Sequence, residues 1–187
     1  MADGKIKPDD IRIERLNSKH SEIIKDFQCY EKDLVDFLVD DAMENQKHKI
    51  SATHLWFLKK TNELVGYITL LNDKINLEGN LKTFFRDKGI LYKSLPALKI
   101  GRLAVDDKFQ KRGLGSLMLE FAFSIAIQNN DKVGCRFVNL DAKRNSDRNK
   151  DSIHFYKKKN FSILKERIKG TTPMYFDLMS LFKEINK

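Results

Sequence analysis

The stretch from Leu98 to Ile125 constrains this chain more than any other. A strand-like run with few charges ends at Asp106, and the hexapeptide Gln110-Lys111-Arg112-Gly113-Leu114-Gly115 comes next. Apolar side chains then recur at 114, 117, 118, 121, 122 and 125, the period of a helix. Strand, glycine turn and helix in that order aim backbone N–H groups and the positive end of a helix dipole at one point, which suits an anion such as a pyrophosphate. Two glycines fit such a loop because it needs positive φ and open space where a Cβ would stand. There is no Gly-Lys-Ser/Thr ending for a nucleoside triphosphate, and Met118 stands where a dinucleotide fold wants its third small residue. Both of those classes drop out. A lone Gly-x-Gly is also read as a tight strand-to-helix turn, so the context must decide.

The remainder of the chain reads as one α+β domain over residues 1–187. Its 41% hydrophobic and 33% charged residues are ordinary for a soluble globule with a sizeable core. Residues 1–9 read as a flexible polar tail. Ile11–Leu16 alternates like a half-buried strand, and Ile23, Ile24 and Phe27 have helical spacing. Leu34, Phe37, Leu38 and Met43 predict a helix over 32–48, with Asp40, Asp41 and Glu44 on its wet side. Strands are expected at 53–59 and 64–71, joined by Thr61-Asn62-Glu63. Leu81, Phe84 and Phe85 suit a short helix. A strand at 135–141, a helix carrying Phe155 and Tyr156, and a closing hairpin at 163–167 and 174–181 complete the pattern. The sum is a mixed, mostly antiparallel sheet of about six to seven strands flanked by helices.

Several function classes are disfavoured. No apolar run approaches the ~20 residues of a membrane span, and Met1-Ala2-Asp3-Gly4-Lys5 lacks the apolar core of a signal peptide, so a cytoplasmic location is expected. Cys29 and Cys135 are too few for a disulfide framework or zinc site, and His20, His48, His54 and His154 lack metal-ligand spacing. No metal is expected. Net charge is +9: residues 1–93 carry 16 Lys/Arg against 16 Asp/Glu, and residues 94–187 carry 19 against 10. The excess therefore lies wholly in the half that holds the glycine loop, where it would attract a phosphorylated cofactor or an RNA. A solvated basic surface is the alternative for any single lysine.

The run from Pro96 to Asp106, followed by Gln110-x-x-Gly113-x-Gly115, resembles the acetyl-CoA motif of the GCN5-related N-acetyltransferase superfamily. A second stretch, Asn149-x-x-Ser152-Ile153-x-Phe155-Tyr156-Lys157-x-Lys159-Asn160-Phe161, is similar to that superfamily's later helix. The resemblance implies acetyl-CoA as co-substrate. It assigns the pantetheine arm to backbone groups along Leu103, Ala104 and Val105, with the Val105 amide polarising the thioester carbonyl. It assigns the pyrophosphate to Gln110, Lys111, Arg112, Gly113, Leu114, Gly115 and Ser116. Asn149 is implied to face the pantetheine chain, and Tyr156 to face the sulfur as general acid. A phenol with an ordinary pKa of ~10 can give its proton to a thiolate whose conjugate acid is ~8.5. As an isolated residue Tyr156 would instead be a core aromatic beside Phe155. Asn160 replaces the glycine usual before the closing Phe and should enter the left-handed region.

No general base is evident; Asp106, Asp141 and Asp151 lie near the motifs but read equally as caps or loop residues. An α-amino group near ~8 is already partly neutral at pH 7, whereas a lysine at ~10.4 is not. Phe27-x-Cys29, Leu34, Phe37-Leu38, Ala42, Asn45 and Val65-Gly66-Tyr67 further resemble the toxin acetyltransferases that block aminoacyl-tRNA through its α-amine. That resemblance implies aminoacyl-tRNA as acceptor and an antitoxin protein as partner; the sequence leaves the oligomeric state open, a homodimer among the options. The alternatives are a generic small-molecule or protein amine acetyltransferase and a non-catalytic module that binds coenzyme A.

Overall fold

The computed structural model describes residues 4–145, 152–167 and 170–185. It contains a seven-stranded sheet in the order β1-β2-β3-β4-β5-β7-β6. The strands are β1 (Ile11–Arg15), β2 (Ala52–Leu58), β3 (Leu64–Asn76), β4 (Ser94–Val105), β5 (Phe137–Lys143), β6 (Ser162–Ile163) and β7 (Thr171–Asp177). The chain forms two compact units, residues 1–71 with 100–122 and residues 72–99 with 123–187.

In the first unit β1 pairs antiparallel with β2, and β2 with β3, the latter ladder slipping by one residue at Trp56/Phe57. Thr53 and Thr69 face each other across that ladder and share a buried hydroxyl–hydroxyl bond of 2.8 Å. The helix expected over 32–48 forms in three pieces: α1 (Lys32–Asp36), a π turn (Phe37–Asp41) and α2 (Ala42–Lys47). At the turn the Ala42 N–H bonds Phe37 O, five residues back, and one extra residue per turn lets Phe37, Leu38 and Ala42 all be buried. They pack with Phe27, Leu55, Phe57 and Tyr67 in one core. The Tyr67 hydroxyl donates to Leu34 O at 2.6 Å, tying sheet to helix. Ile23–Asp26, helical by its spacing, is a single 3-10 turn.

Helix α4 (Leu114–Asn130) buries Leu114, Met118, Leu119, Ala122 and Ala126, close to the predicted stripe. The sheet approaches it closely at Gly66. A Cβ there would lie 2.6 Å from the Ala104 carbonyl and against the Met118 methyl. One side of that clash is backbone, which cannot swing aside.

The polar tail is not frayed from Gly4 onward. Ile6 is 4% exposed, its N–H bonds Arg112 O at 3.0 Å, and Pro8–Asp10 forms a 3-10 turn leading into β1. One apolar side chain and one backbone bond outweigh the polar composition.

In the second unit β5 pairs antiparallel with β7, and β7 with β6. Helix α3 (Gly79–Arg86) sets Phe85 edge-on against Phe137, centroids 5.9 Å apart. Arg136 lies over the Phe85 ring and binds Asp177 through two 2.8 Å bonds. The closing hairpin is shorter than expected, because residues 179–185 are helical (α6, Met179–Ile185). Asp177 is the cause: its carboxylate caps Met179 N at 3.0 Å and its carbonyl accepts the Ser180 hydroxyl.

Replacing Gly66 by alanine should lower stability by about 1–3 kcal/mol, the usual cost of overpacking, read as a lower urea midpoint at unchanged m-value.

Candidate active site

Asp106 fixes where β4 stops and the glycine loop starts. It is 4% exposed, and both carboxylate oxygens are used: Oδ2 accepts Gln28 N and Oδ1 accepts Lys108 N, each at 3.0 Å. Its own N–H reaches Val65 O at 3.0 Å, and its carbonyl accepts Phe109 N at 2.8 Å, closing a 3-10 turn over Asp107–Phe109. Asp106 is thus a cap and a cross-link, with both oxygens engaged in holding backbone. Removing its side chain strands two backbone donors, each costing about 1–3 kcal/mol when left unpaired.

Beyond that turn the backbone becomes left-handed twice, at Lys111 (φ 61°) and Gly113 (φ 91°). Two glycines in the loop suggest positive φ at both, and here the structure differs. Gly115 lies within the first turn of α4, and Lys111 carries the other left-handed conformation. Alternating hands along a short loop turn successive N–H groups to one side. The Gly113 carbonyl accepts Ser116 N and Leu117 N at 3.1 and 3.3 Å, starting the helix. Among the described residues no backbone acceptor meets the amides of Gly113, Leu114 and Gly115, as expected at the head of a helix. These donors, the helix dipole and the side chains of Lys111 and Arg112 suit a doubly charged diphosphate. The Arg112 guanidinium is steadied over the Phe109 ring at 5.5 Å. Gln110 donates to Asp107 Oδ1 at 2.6 Å, and Ser116 sits half-buried in the first turn. Leu103 and Val105 are half-buried on β4, with Ala104 buried between them.

Tyr156 lies on α5 (Ser152–Lys157), whose first residue is fastened to the end of β5 by a 2.7 Å bond from the Ser152 hydroxyl to Lys143 O. Its ring packs against Phe155 and Phe161, centroids 5.1 and 5.5 Å away, and 8% of the residue is exposed. Burial pushes its phenol well above the usual tyrosine range. The helix ends in a two-bond cap, Phe161 N to Tyr156 O at 3.1 Å and Asn160 N to Lys157 O at 3.0 Å. Asn160 takes the left-handed position with φ 62°, as anticipated for a residue standing in for glycine. The backbone that carries Tyr156 is therefore fixed at both ends of a six-residue helix.

Asn149 and Asp151 fall outside the described residues. Asp141, the other acid considered as a base, is paired with Lys99 at 2.7 Å. Lys99 also approaches Asp73, which accepts Asn139 Nδ2 at 2.8 Å, a polar network that spacing in the sequence offers no means of finding. Cys29 and Cys135 are free thiols, both pushed up by burial. Among the described residues no group of three metal-ligating side chains occurs, and no helix is long and apolar enough to cross a membrane.

Asp106→Ala should lower stability by about 1–3 kcal/mol for each donor it strands, and Asp106→Asn by less, both read from urea midpoints. The direction of the Tyr156 shift sets a pH dependence. An unfolded tyrosine ionises near pH ~10 and the folded one above it, so the phenol's contribution to stability is intact below about pH 10 and is lost as pH rises further. The difference in absorbance between wild type and Tyr156→Phe should show no phenolate at about pH 10, and a phenolate only where alkaline unfolding sets in.

The model of the acetyltransferase (GNAT) family matches residues 20–161. Solved structures superpose over nearly the whole chain. AtaT complexed with acetyl-methionyl-tRNAfMet is 22% identical, with a TM-score of 0.76 over 94% of this chain and 99% of that one. A tyrosine-to-phenylalanine mutant of KacT is 21% identical, with a TM-score of 0.77 and coverage of 94% and 99%. A tyrosine-to-phenylalanine mutant of the AtaT toxin, bound to the C-terminus of the antitoxin AtaR and acetyl-CoA, is 21% identical, with a TM-score of 0.73 and coverage of 95% and 99%. At these identities the superpositions establish the fold, and the family match goes further: the chain belongs to the acetyltransferase (GNAT) family.

Proposed function

We propose that this chain is an acetyl-CoA-dependent N-acetyltransferase whose acceptor is the α-amino group of an aminoacyl-tRNA. The observation that carries the cofactor half of this reading is the loop at 110–115, with two left-handed residues and unpaired amides at the head of α4 inside the family match. Acetyl-CoA supplies a thioester whose carbonyl carbon the amine attacks. The amides of Gly113, Leu114 and Gly115 hold the diphosphate, with Gln110, Lys111, Arg112 and Ser116 around it. Backbone groups of Leu103, Ala104 and Val105 hold the pantetheine arm, and the Val105 N–H stabilises negative charge on the carbonyl oxygen without having to reorganise. Asn149 is assigned to the same arm on the resemblance alone.

Tyr156 is the general acid. A phenol is protonated at neutral pH already at its ordinary pKa of ~10, so a proton is available when the C–N bond forms and the C–S bond breaks. The amine's own proton passes to water. An α-amine needs no strong base because part of it is neutral at pH 7, and this agrees with the engagement of Asp106 and Asp141 elsewhere.

The tRNA acceptor is supported by the fold shared with AtaT, solved with acetyl-methionyl-tRNAfMet, and by the +9 charge concentrated in residues 94–187. The AtaT structure with AtaR extends the reading to an antitoxin partner.

Purified protein incubated with radiolabelled acetyl-CoA should label charged tRNA and leave uncharged tRNA blank, the label leaving with the amino acid on alkaline hydrolysis. Tyr156→Phe should lower kcat on the order of 10²-fold while leaving acetyl-CoA affinity unchanged. Labelling of small amines or peptides but of no aminoacyl-tRNA would overturn the acceptor. Tight cofactor binding with no acceptor ever modified would overturn the enzyme.

A further inference from the structure

We propose that Lys5, carried by the N-terminal segment, is a phosphate-binding residue of the cofactor site; this rests on reading the 110–115 loop as the cradle for the cofactor's phosphates. The segment is held to that loop on either side of Lys5. Ile6 N–H donates to Arg112 O at 3.0 Å, and Arg112 Nε–H donates back to Gly4 O at 3.3 Å. Ile6 is buried and anchors the pair. Between these bonds the Lys5 stem lies across Gly113, with Cγ and Cε each 3.3 Å from the point where a Gly113 Cβ would stand. The missing side chain therefore does more than permit a left-handed φ: it clears the track along which the lysine stem runs.

Cε is bonded directly to Nζ, so the ammonium is delivered beside the loop whose amides await an anion. Among the described residues no carboxylate pairs with Lys5. A stem already laid on glycine has given up part of its rotamer freedom before any ligand arrives, which lowers the ordering cost of binding. The adjoining cavity, about 560 Å³, is lined by four cations, Lys5, Lys59, Lys60 and Arg112, against Asp9 and Asp10. Asp10 is already engaged with Lys7 N at 2.9 Å. Coenzyme A offers two phosphate sources, the diphosphate and the ribose 3′-phosphate, and both have the charge this cluster suits.

The test is calorimetric titration of coenzyme A and of 3′-dephospho-coenzyme A into the whole protein, into Lys5→Met and into Lys5→Arg. Methionine keeps the stem on Gly113 and removes only the charge. Lys5→Met should bind coenzyme A about tenfold more weakly, with a shallower salt dependence and an unchanged apo melting temperature, and Lys5→Arg should stay near wild type. If the loss persists with the dephospho compound, the diphosphate is the contact; if it vanishes, the ribose phosphate is. Wild-type affinity in Lys5→Met would overturn the inference while leaving the cofactor reading intact. Absence of any heat with wild type would overturn both.

Discussion

A buried carboxylate at the end of β4 governs the first unit. Asp106 is hydrogen-bonded to the backbone of Gln28, of Val65 and of its own following turn, so three stretches distant in sequence are joined at one residue. The neighbouring Asp107 extends the link: its N–H bonds Gln28 O at 3.0 Å and its carboxylate accepts Tyr30 N at 3.1 Å. The chain beyond it has little freedom. The strand must stop, the backbone must turn, and the glycine loop begins at a fixed place and direction before the head of α4. An acid that the motif invites one to read as a catalyst is here the part that sets where the loop at 110–115 begins.

Close approach is the second constraint, and the two informative glycines serve it differently. Gly66 has ordinary backbone and matters only for the space it leaves beside the Ala104 carbonyl and Met118. Gly113 combines a left-handed φ with a neighbour, Lys5, that uses the cleared volume. A sequence shows both simply as glycine. Distinguishing them requires knowing which atoms stand against each, a property of chain crossings rather than of local composition.

The same distinction explains how much of the molecule is legible in its sequence. Strands β2 to β5 are legible as apolar runs bounded by polar turns, and helix α4 from the period of its apolar side chains. The loop at 110–115 is legible from its glycines between strand and helix, although its other left-handed residue is Lys111 and not Gly115. The left-handed Asn160 is legible from its place in the second motif. Three features are not. The N-terminal segment has the composition of a loose tail, since one buried Ile6 and its bond to Arg112 leave no periodic trace. Helix α6 looks like strand in sequence because its cap, Asp177, also ends β7 and pairs with Arg136. The π turn at 37–41 keeps the helical period on both sides and hides its extra residue. The family is legible from two motifs in the right order, and the match over residues 20–161 agrees with it.

The outermost strands carry a further consequence. At one margin of the sheet β6 offers only two residues for pairing, and at the other β1 intersperses Arg12, Glu14 and Arg15 among its isoleucines, with Arg12 drawn over the Phe57 ring. Short or charge-studded borders are poor templates for a foreign strand. Assembly by extending the ladder is thereby disfavoured at both borders: one gives an incoming strand two residues to pair with, the other a row of charges.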